Sequence, residues 1–449
     1  NSRGLVRGVN MTDLIKLSLP SPLSNNVISL VNSNGKTYIS GGALDNAWNN
    51  LWRPLQVFIH ENGNWQSAPP NDLHDALRVL PDPDNNNHFW VATWGAGLLE
   101  YNLLVNKYDD SNSPLKTIIP GKPYSRICGL AMDRFKNIWI TQTGVPGSIK
   151  VLKPDRTWIV MPVTIDAPTI GDIIISSSGF KWIVLPRGYG LFVYDDNSTP
   201  ENFTDDRYKQ MLVKDADGKV ISNVYSIAED LDGAVWVGTD QGPAVYYNPS
   251  RVFEEDVKAI RVKVSRNDGS GLADYMLGTE IITSIAVDGA NRKWLGTFSS
   301  GAYLLSADGT TKLKNYNEGN SPLYSNSVAG VSIDGKTGEI WFGTSKGVIS
   351  VRGDATTGGS EFGNVYAFPN PVRETFAGNL TITGLMRNSS IRITDVSGNL
   401  VYSTVSEGGQ ATWNLKTWTG ERVSTGVYVI FCASEDGRKS AVTKVLVIK

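Results

Sequence analysis

The stretch "SNVYSIAEDLDGAVWVGTDQGPAVYY" (222–247) has a close copy further along the chain, "SNSVAGVSIDGKTGEIWFGTSKGVISV" (325–351). Each reads Asn, an alternating apolar run, an acidic turn and G-x-x-W. An apolar strand ending in Gly-Thr, a glycine turn and another strand follow. The alternation has period two and is broken by Gly, Asn and Asp, which excludes long helices. Fainter copies lie in register around Tyr38, Trp90, Trp139, Trp182 and Trp294. With Trp236 and Trp341 they make seven copies, at gaps of 52, 49, 43, 54, 58 and 47 residues. Each copy holds four short apolar runs, a to d. Four strands every ~40–50 residues is the sequence pattern of a propeller blade. Residues 1–352 are therefore expected to form a seven-bladed β-propeller, with one large aromatic per blade packing between blades.

The seventh copy has runs a, b and c, then enters a Gly/Ser/Thr segment. "TDLIKLSLPSPLSNNVISLV" (12–31) parallels "TKLKNYNEGNSPLYSNSVAGVSI" (311–333). Residues 12–18 are thus expected to be the missing d strand, closing blade seven and covering its edge. The opening "NSRGLVRGVN" reads as a trimmed or processed start and suits a crossover from an upstream domain.

Gly330 to Thr337 match the phosphate-loop pattern G-x-x-x-x-G-K-[ST]. Such a loop needs a helix after it, with its N-terminus at the phosphates. Here "EIWFGT" is strand b, so Lys336 belongs to an a–b hairpin. Sialidase-type Asp boxes, S-x-D-x-G-x-x-W, are excluded because Asp232 directly precedes Gly233. Asp230, Asp288 and Asp334 recur at one blade position as turn-formers. They do not form a catalytic set, and no catalytic residue or cofactor is expected.

A net charge of -2 gives no reason to expect nucleic acid. No apolar run is long enough to span a membrane. Cys128 and Cys432 read as buried free thiols. His60, His74 and His88 share no ligand spacing, so no metal is expected.

Residues 353–364 have the composition of a linker. From 365 to 449 seven short alternating runs argue for an immunoglobulin-like β-sandwich. "DVSGNL" (395–400) is a hairpin turn with Gly398 at its tip. Pro369 and Pro371 suit an edge strand, where a missing N–H costs nothing.

This tail resembles the C-terminal sorting domain of the type IX secretion system of Bacteroidetes. The motifs occur in order: Pro369-Asn370-Pro371, Asp395-x-x-Gly398-x-x-Val401, Gly426-Val427-Tyr428 and a last strand bearing Lys444 and Lys449. The repeats resemble the two-component-regulator propeller family, whose blades read G-x-x-W-x-G-T. Together they resemble a surface component of that secretion system, whose members carry two propellers before the tail where this chain shows one. The resemblance implies passage through the periplasm and display at the cell surface and outer membrane. It also implies a non-enzymatic accessory role, partnership in a complex with the sortase, and handling of anionic lipopolysaccharide.

In a propeller the b–c and d–a loops gather on one face. The first b–c loop, "GGALDNAWNNLWRPLQ" (41–56), places Trp48, Trp52 and Arg53 outside the repeat. Other b–c positions add Trp94, Arg187, Tyr189, Phe298 and Lys346. Aromatics with cations on a rim suit stacking on sugar rings and pairing with anionic groups. The competing expectation is a lid whose Trp48 and Trp52 pack on blade faces. Two other functions compete: secreted cargo whose propeller binds or degrades a glycan, and the periplasmic sensor of a hybrid two-component system. The sensor is disfavoured because such proteins continue into a transmembrane helix and this chain ends at "KVLVIK".

Overall fold

A computed structural model describes residues 5–8, 14–17, 21–45, 47–69, 72–266 and 269–448. Among them the structure is β throughout, apart from one 3-10 turn at Pro249–Arg251. The seven repeats are blade-type sheets and the tail is a two-sheet sandwich. The fold class is thus a seven-bladed β-propeller followed by an immunoglobulin-like β-sandwich. The chain divides into two compact units. One comprises 1–175, 196–206 and 343–348; the other comprises 176–195, 207–342 and 349–449.

In the first unit, Ser29–Ser33, Lys36–Ser40, Val57–Glu61 and Asn64–Ser67 form the first sheet in sequence order. The second repeat follows the same order through Ala76–Asp82, Asn85–Gly95, Leu98–Tyr101 and Val105–Tyr108. The third does so through Ser125–Met132, Ile138–Gln142, Ile149–Leu152 and Trp158–Val160. The central strands are buried on both faces, so they read as near-continuous apolar runs. The marker aromatics lie in them: Tyr38, Trp90 and Trp139 are 1%, 5% and 0% exposed. Full burial of each such ring contributes about 1.5–3 kcal/mol or more.

Leu14–Leu17, within the stretch expected to close the seventh blade, is instead paired antiparallel with Leu5–Gly8 in a two-stranded sheet. A local hairpin needs less loop closure than pairing across the length of the chain. Residues 12, 13 and 18 lie outside the described residues. Within this unit Gly343 packs on the stretch that enters the first sheet. A Cβ on Gly343 would lie 2.4 Å from Val27 Cγ1. The Trp-x-Gly glycines of the fifth and sixth repeats meet the next repeat likewise, Gly238 at Ile282 O (2.6 Å) and Gly296 at Val328 Cγ1 (2.9 Å).

In the second unit, Val224–Glu229, Val235–Thr239, Gly242–Tyr246 and Ile260–Arg261 form the fifth sheet. The sixth comprises Ile282–Val287, Lys293–Thr297, Ala302–Leu305 and Lys312–Tyr316. In the seventh repeat, Val328–Ile333 runs through a turn at Asp334 into Glu339–Thr344. The phosphate-loop string is therefore a hairpin, with Asp334 Oδ1 accepting from the Lys336 N–H at 2.9 Å.

The sandwich has all seven expected strands. Tyr366–Phe368, Leu380–Thr383 and Gln410–Trp413 make one sheet. Leu400–Val405, Ser390–Thr394, Gly426–Ala433 and Ser440–Val447 make the other. Trp413, Ile391, Ile393, Ile430 and Val445 fill the core between them. The motif residues have identifiable work. Asn370 accepts from Leu446 N (3.1 Å) and donates to Lys444 O (3.1 Å), tying the Pro-Asn-Pro turn to the last strand. Asp395 Oδ1 accepts from Ser397 N and Asn399 N, both at 2.9 Å, and shapes the turn whose Gly398 sits at φ 88. Tyr428 donates to Ser424 O (2.9 Å) and meets the Trp413 ring edge-on at 5.5 Å. Lys444 is exposed; Lys449 lies outside the described residues.

The stretch expected as a linker is fixed on both sides. Ala355 and Thr356 are 3% and 8% exposed. Thr357 N donates to Gly335 O of the seventh repeat (2.7 Å), and Gly409 N of the sandwich donates to Thr356 O (2.8 Å). Gly289 and Gly408 flank Thr356 so closely that a Cβ on either would lie within 1.9 Å of its carbonyl oxygen. The small residues that read as flexible are those that let three backbones approach. Charges reinforce the seam. Arg292 pairs with Asp288 (2.7 Å), Asp354 (2.6 Å) and Glu407 (3.6 Å), and Arg387 pairs with Asp232 (2.7 Å). Burial pushes the Glu407 carboxyl above its ordinary range despite Arg292.

Candidate functional site

The first b–c loop is organised by one acid. Asp75, wholly buried just before strand Ala76–Asp82, accepts from Trp52 N (3.0 Å), Arg53 N (3.0 Å), Ala43 N (3.3 Å) and Asn50 Nδ2 (3.1 Å). A buried carboxylate with four donors fixes the loop's path. Trp48 and Trp52 take positive φ values of 64 and 54 in it.

The two tryptophans part ways. Trp48 is half-buried, 5.6 Å from the Trp94 ring, and its carbonyl accepts from Trp94 Nε1 at 3.0 Å. Trp94 is 1% exposed, so it supports the rim from beneath instead of presenting a surface ring. Trp52 is 59% exposed and meets His74 edge-on (5.8 Å) and Tyr124 (5.9 Å). The Arg126 guanidinium lies 5.2 Å from the Trp94 ring and 5.3 Å from the Tyr124 ring, and its buried Nε has no hydrogen-bond partner among the described residues. Arg53, half-buried, reaches Gly42 O at 3.5 Å. The result is an aromatic platform of Trp52, His74 and Tyr124 beside two guanidinium groups, suited to a sugar ring carrying an acid.

Lys346, in the same unit, is exposed on a tight turn whose N–H meets Thr344 Oγ1 at 3.2 Å. The remaining expected residues belong to the second unit. Arg187 is exposed at φ 63, Tyr189 is 38% exposed and Phe298 is 60% exposed. Sequence reasoning missed Asp75, His74, Tyr124 and Arg126. Their signal was available, since Asp75 and Tyr124 directly precede a strands, and His74 lies one residue earlier, at the ends of the d–a loops.

Burial pushes the Cys128 thiol up to about 12 and the Cys432 thiol up to about 11, so both are inert.

Propeller sheets joined to a sandwich tail define a propeller-plus-sandwich architecture, and known proteins share its parts. Residues 366–449 match the family described as the secretion system C-terminal sorting domain. The chain is similar to PorZ, an essential bacterial surface component of the type IX secretion system of Porphyromonas gingivalis. That likeness has 28% identity and a TM-score of 0.73, over 97% of this chain and 61% of that one. The chain therefore spans about 61% of the length of PorZ. An extracellular domain assigned to a hybrid two-component system of B. thetaiotaomicron shares the fold, at 15% identity and TM-score 0.52 over 96% of this chain and 57% of that one. Virginiamycin B lyase from Staphylococcus aureus shares it at 12% identity and TM-score 0.51, over 73% of this chain and 94% of that one. No curated protein sequence matches the chain. The tail and the PorZ likeness associate the chain with type IX secretion and imply export to the region of the cell surface and outer membrane. No helix among the described residues is long and apolar enough to cross a membrane.

Proposed function

We propose that this is a non-catalytic, surface-exposed accessory of type IX secretion, similar to PorZ, that keeps its sorting domain and works beside the sortase complex. Its rim takes an anionic glycan of the lipopolysaccharide kind. The observation that carries this reading is the seam at Thr356. A tail meant for release is best left undocked, whereas Ala355 and Thr356 are buried and Thr356, Thr357 and Gly359 are hydrogen-bonded to the repeats or the sandwich, so that cutting the chain does not by itself free the tail. The Trp52 platform with Arg53 and Arg126 supports the glycan.

Intact mass of the mature protein from its native envelope tests the reading. A mass retaining 365–449 is expected; a mature chain without it makes the protein cargo. For the rim, alanine at Arg53, and separately at Arg187, is proposed to weaken binding of an anionic glycan, and affinity unchanged in both variants removes the glycan role.

A further inference from the structure

A second site opens at the other end of strand Asn85–Gly95, away from Trp94. In the third and fifth repeats the turn acid accepts the indole N–H of the marker tryptophan. Asp133 Oδ2 lies 3.0 Å from Trp139 Nε1, and Asp230 Oδ2 lies 2.9 Å from Trp236 Nε1. In the second repeat the corresponding Asp82 has been drawn away by His88, two residues before the tryptophan (Nδ1···Oδ2 2.9 Å). Trp90, 5% exposed, is left with an indole N–H that has no acceptor among the described residues.

The sixth repeat shows the same displacement and its use. There Arg292, two before Trp294, takes Asp288, Trp294 Nε1 is orphaned, and the cation reaches out to Asp354 at the docked sandwich. In the second repeat the displaced chain also leads outward. His88 Nε2 meets Glu100 (2.8 Å), a carboxylate with no exposure, and Glu100 accepts from Arg156 Nη1 through both oxygens at 2.7 Å. Burial works to raise the Glu100 pKa, but hydrogen bonds from Arg156, His88 and Tyr108 hold it below the ordinary range. A buried ionic chain is costly to build. Here it fixes one guanidinium, at φ 71, with half of its surface open. Among the described residues nothing hydrogen-bonds Arg156 Nε or Nη2.

That guanidinium borders a cavity of about 210 Å³. Trp90, Met132, Ile138 and Leu152 line its apolar side, and Lys136 and Lys153 line it with Arg156, Lys153 being paired with exposed Glu201 (2.5 Å) and Asp155 (3.6 Å). Of the two lining acids, Asp82 is held by His88. Asp84 is 75% exposed and paired with Lys136 (2.6 Å), a contact that costs little to exchange. We infer that this cavity binds a small apolar carboxylate, its body against Trp90 and Met132 and its carboxylate on the Nε/Nη2 edge of Arg156 with Lys153 alongside. The fork geometry selects a planar two-oxygen anion, and the apolar wall selects a ring or branched body about the size of an amino-acid side chain.

Calorimetric titration of the full chain with phenylacetate, and with uncharged phenylacetamide of the same shape, tests the site. Saturable binding of the acid is expected, with the amide at least about tenfold weaker. Arg156→Gln and the cavity-filling Met132→Trp should each weaken the acid by about tenfold or more, while Trp52→Ala leaves it unchanged. Equal affinity for acid and amide, no saturation by the acid, or a loss that follows Trp52→Ala would overturn the inference. Should Arg156→Gln fail to fold, the acid–amide comparison on the unaltered chain and Met132→Trp decide the matter.

Discussion

Replacing Gly289 with alanine tests the seam that holds the sorting domain. The new Cβ would lie 1.8 Å from Thr356 O and 2.2 Å from Thr356 C, both backbone atoms that no rotamer change can move aside. Accommodating a methyl in a packed site costs about 1–3 kcal/mol. Displacing Thr356 also disturbs two hydrogen bonds, Gly409 N to Thr356 O and Thr357 N to Gly335 O. Each contributes about 1 kcal/mol. The sum is roughly 3–5 kcal/mol, on the order of 10 °C in Tm for a unit of this size. Gly398→Ala, in a sandwich turn of the same unit, is the control. It has φ 88 but nothing within 4 Å of the added methyl, so it bears only the conformational cost of about 1–2 kcal/mol. Scanning calorimetry with limited proteolysis of 353–364 reads both variants. Gly289→Ala should lower the transition well beyond Gly398→Ala and open the 353–364 segment to protease. Equal shifts and an uncut segment would refute the docking argument.

Trp52→Ala should leave stability within about 0.5 kcal/mol of the parent, because the ring is 59% exposed, while lowering affinity for an anionic glycan about tenfold. Trp48→Ala, which removes a ring packed on Trp94, should instead destabilise by about 3 kcal/mol in chemical denaturation. Asp230→Asn leaves Lys293, fully buried and 2.8 Å from that acid, without its counter-charge and should cost about 3–5 kcal/mol. Adding Lys293→Met should recover much of this in the double-mutant cycle. Lys150, desolvated and near Lys116, titrates at about 7 in the fold against 10.5 unfolded. Between those values the unfolded chain binds the extra proton, so stability should rise with pH from about 7 to 10.5. Lys150→Met should flatten that rise in denaturation curves taken across the range.

The repeats were legible because one large aromatic recurs every ~40–60 residues in a strand that follows a short polar turn, and burial of strand b forces that recurrence. The sandwich was legible for a similar reason, since two-sided sheets alternate cleanly. The state of residues 353–364 was not legible. Gly, Ser and Thr are the residues of free linkers and also of closely apposed backbones, and only the partner surface distinguishes the two. The pairing of Leu14–Leu17 was misjudged because a d strand and a local hairpin strand share one pattern. At the rim, Trp94 looked like an exposed ligand contact. Its place next to the Gly-Ala-Gly turn says nothing about the loop at 41–56 that covers it. The acceptors of the marker indoles were hidden for another reason. His88 and Arg292 redirect the turn acids through three-dimensional geometry that spacing alone does not encode.

The threading of Thr356 between Gly289 and Gly408 separates two events that are usually treated as one. Scission of the chain between Gly358 and Asn364 would break its covalent continuity. The sandwich would still be held by the contacts at Thr356 on one side of the cut and by Arg387 with Asp232 and Glu407 with Arg292 on the other. A nicked molecule would run as two pieces under denaturing conditions and as one under native conditions. Release of the tail therefore depends on rupture of a folded contact as well as on hydrolysis.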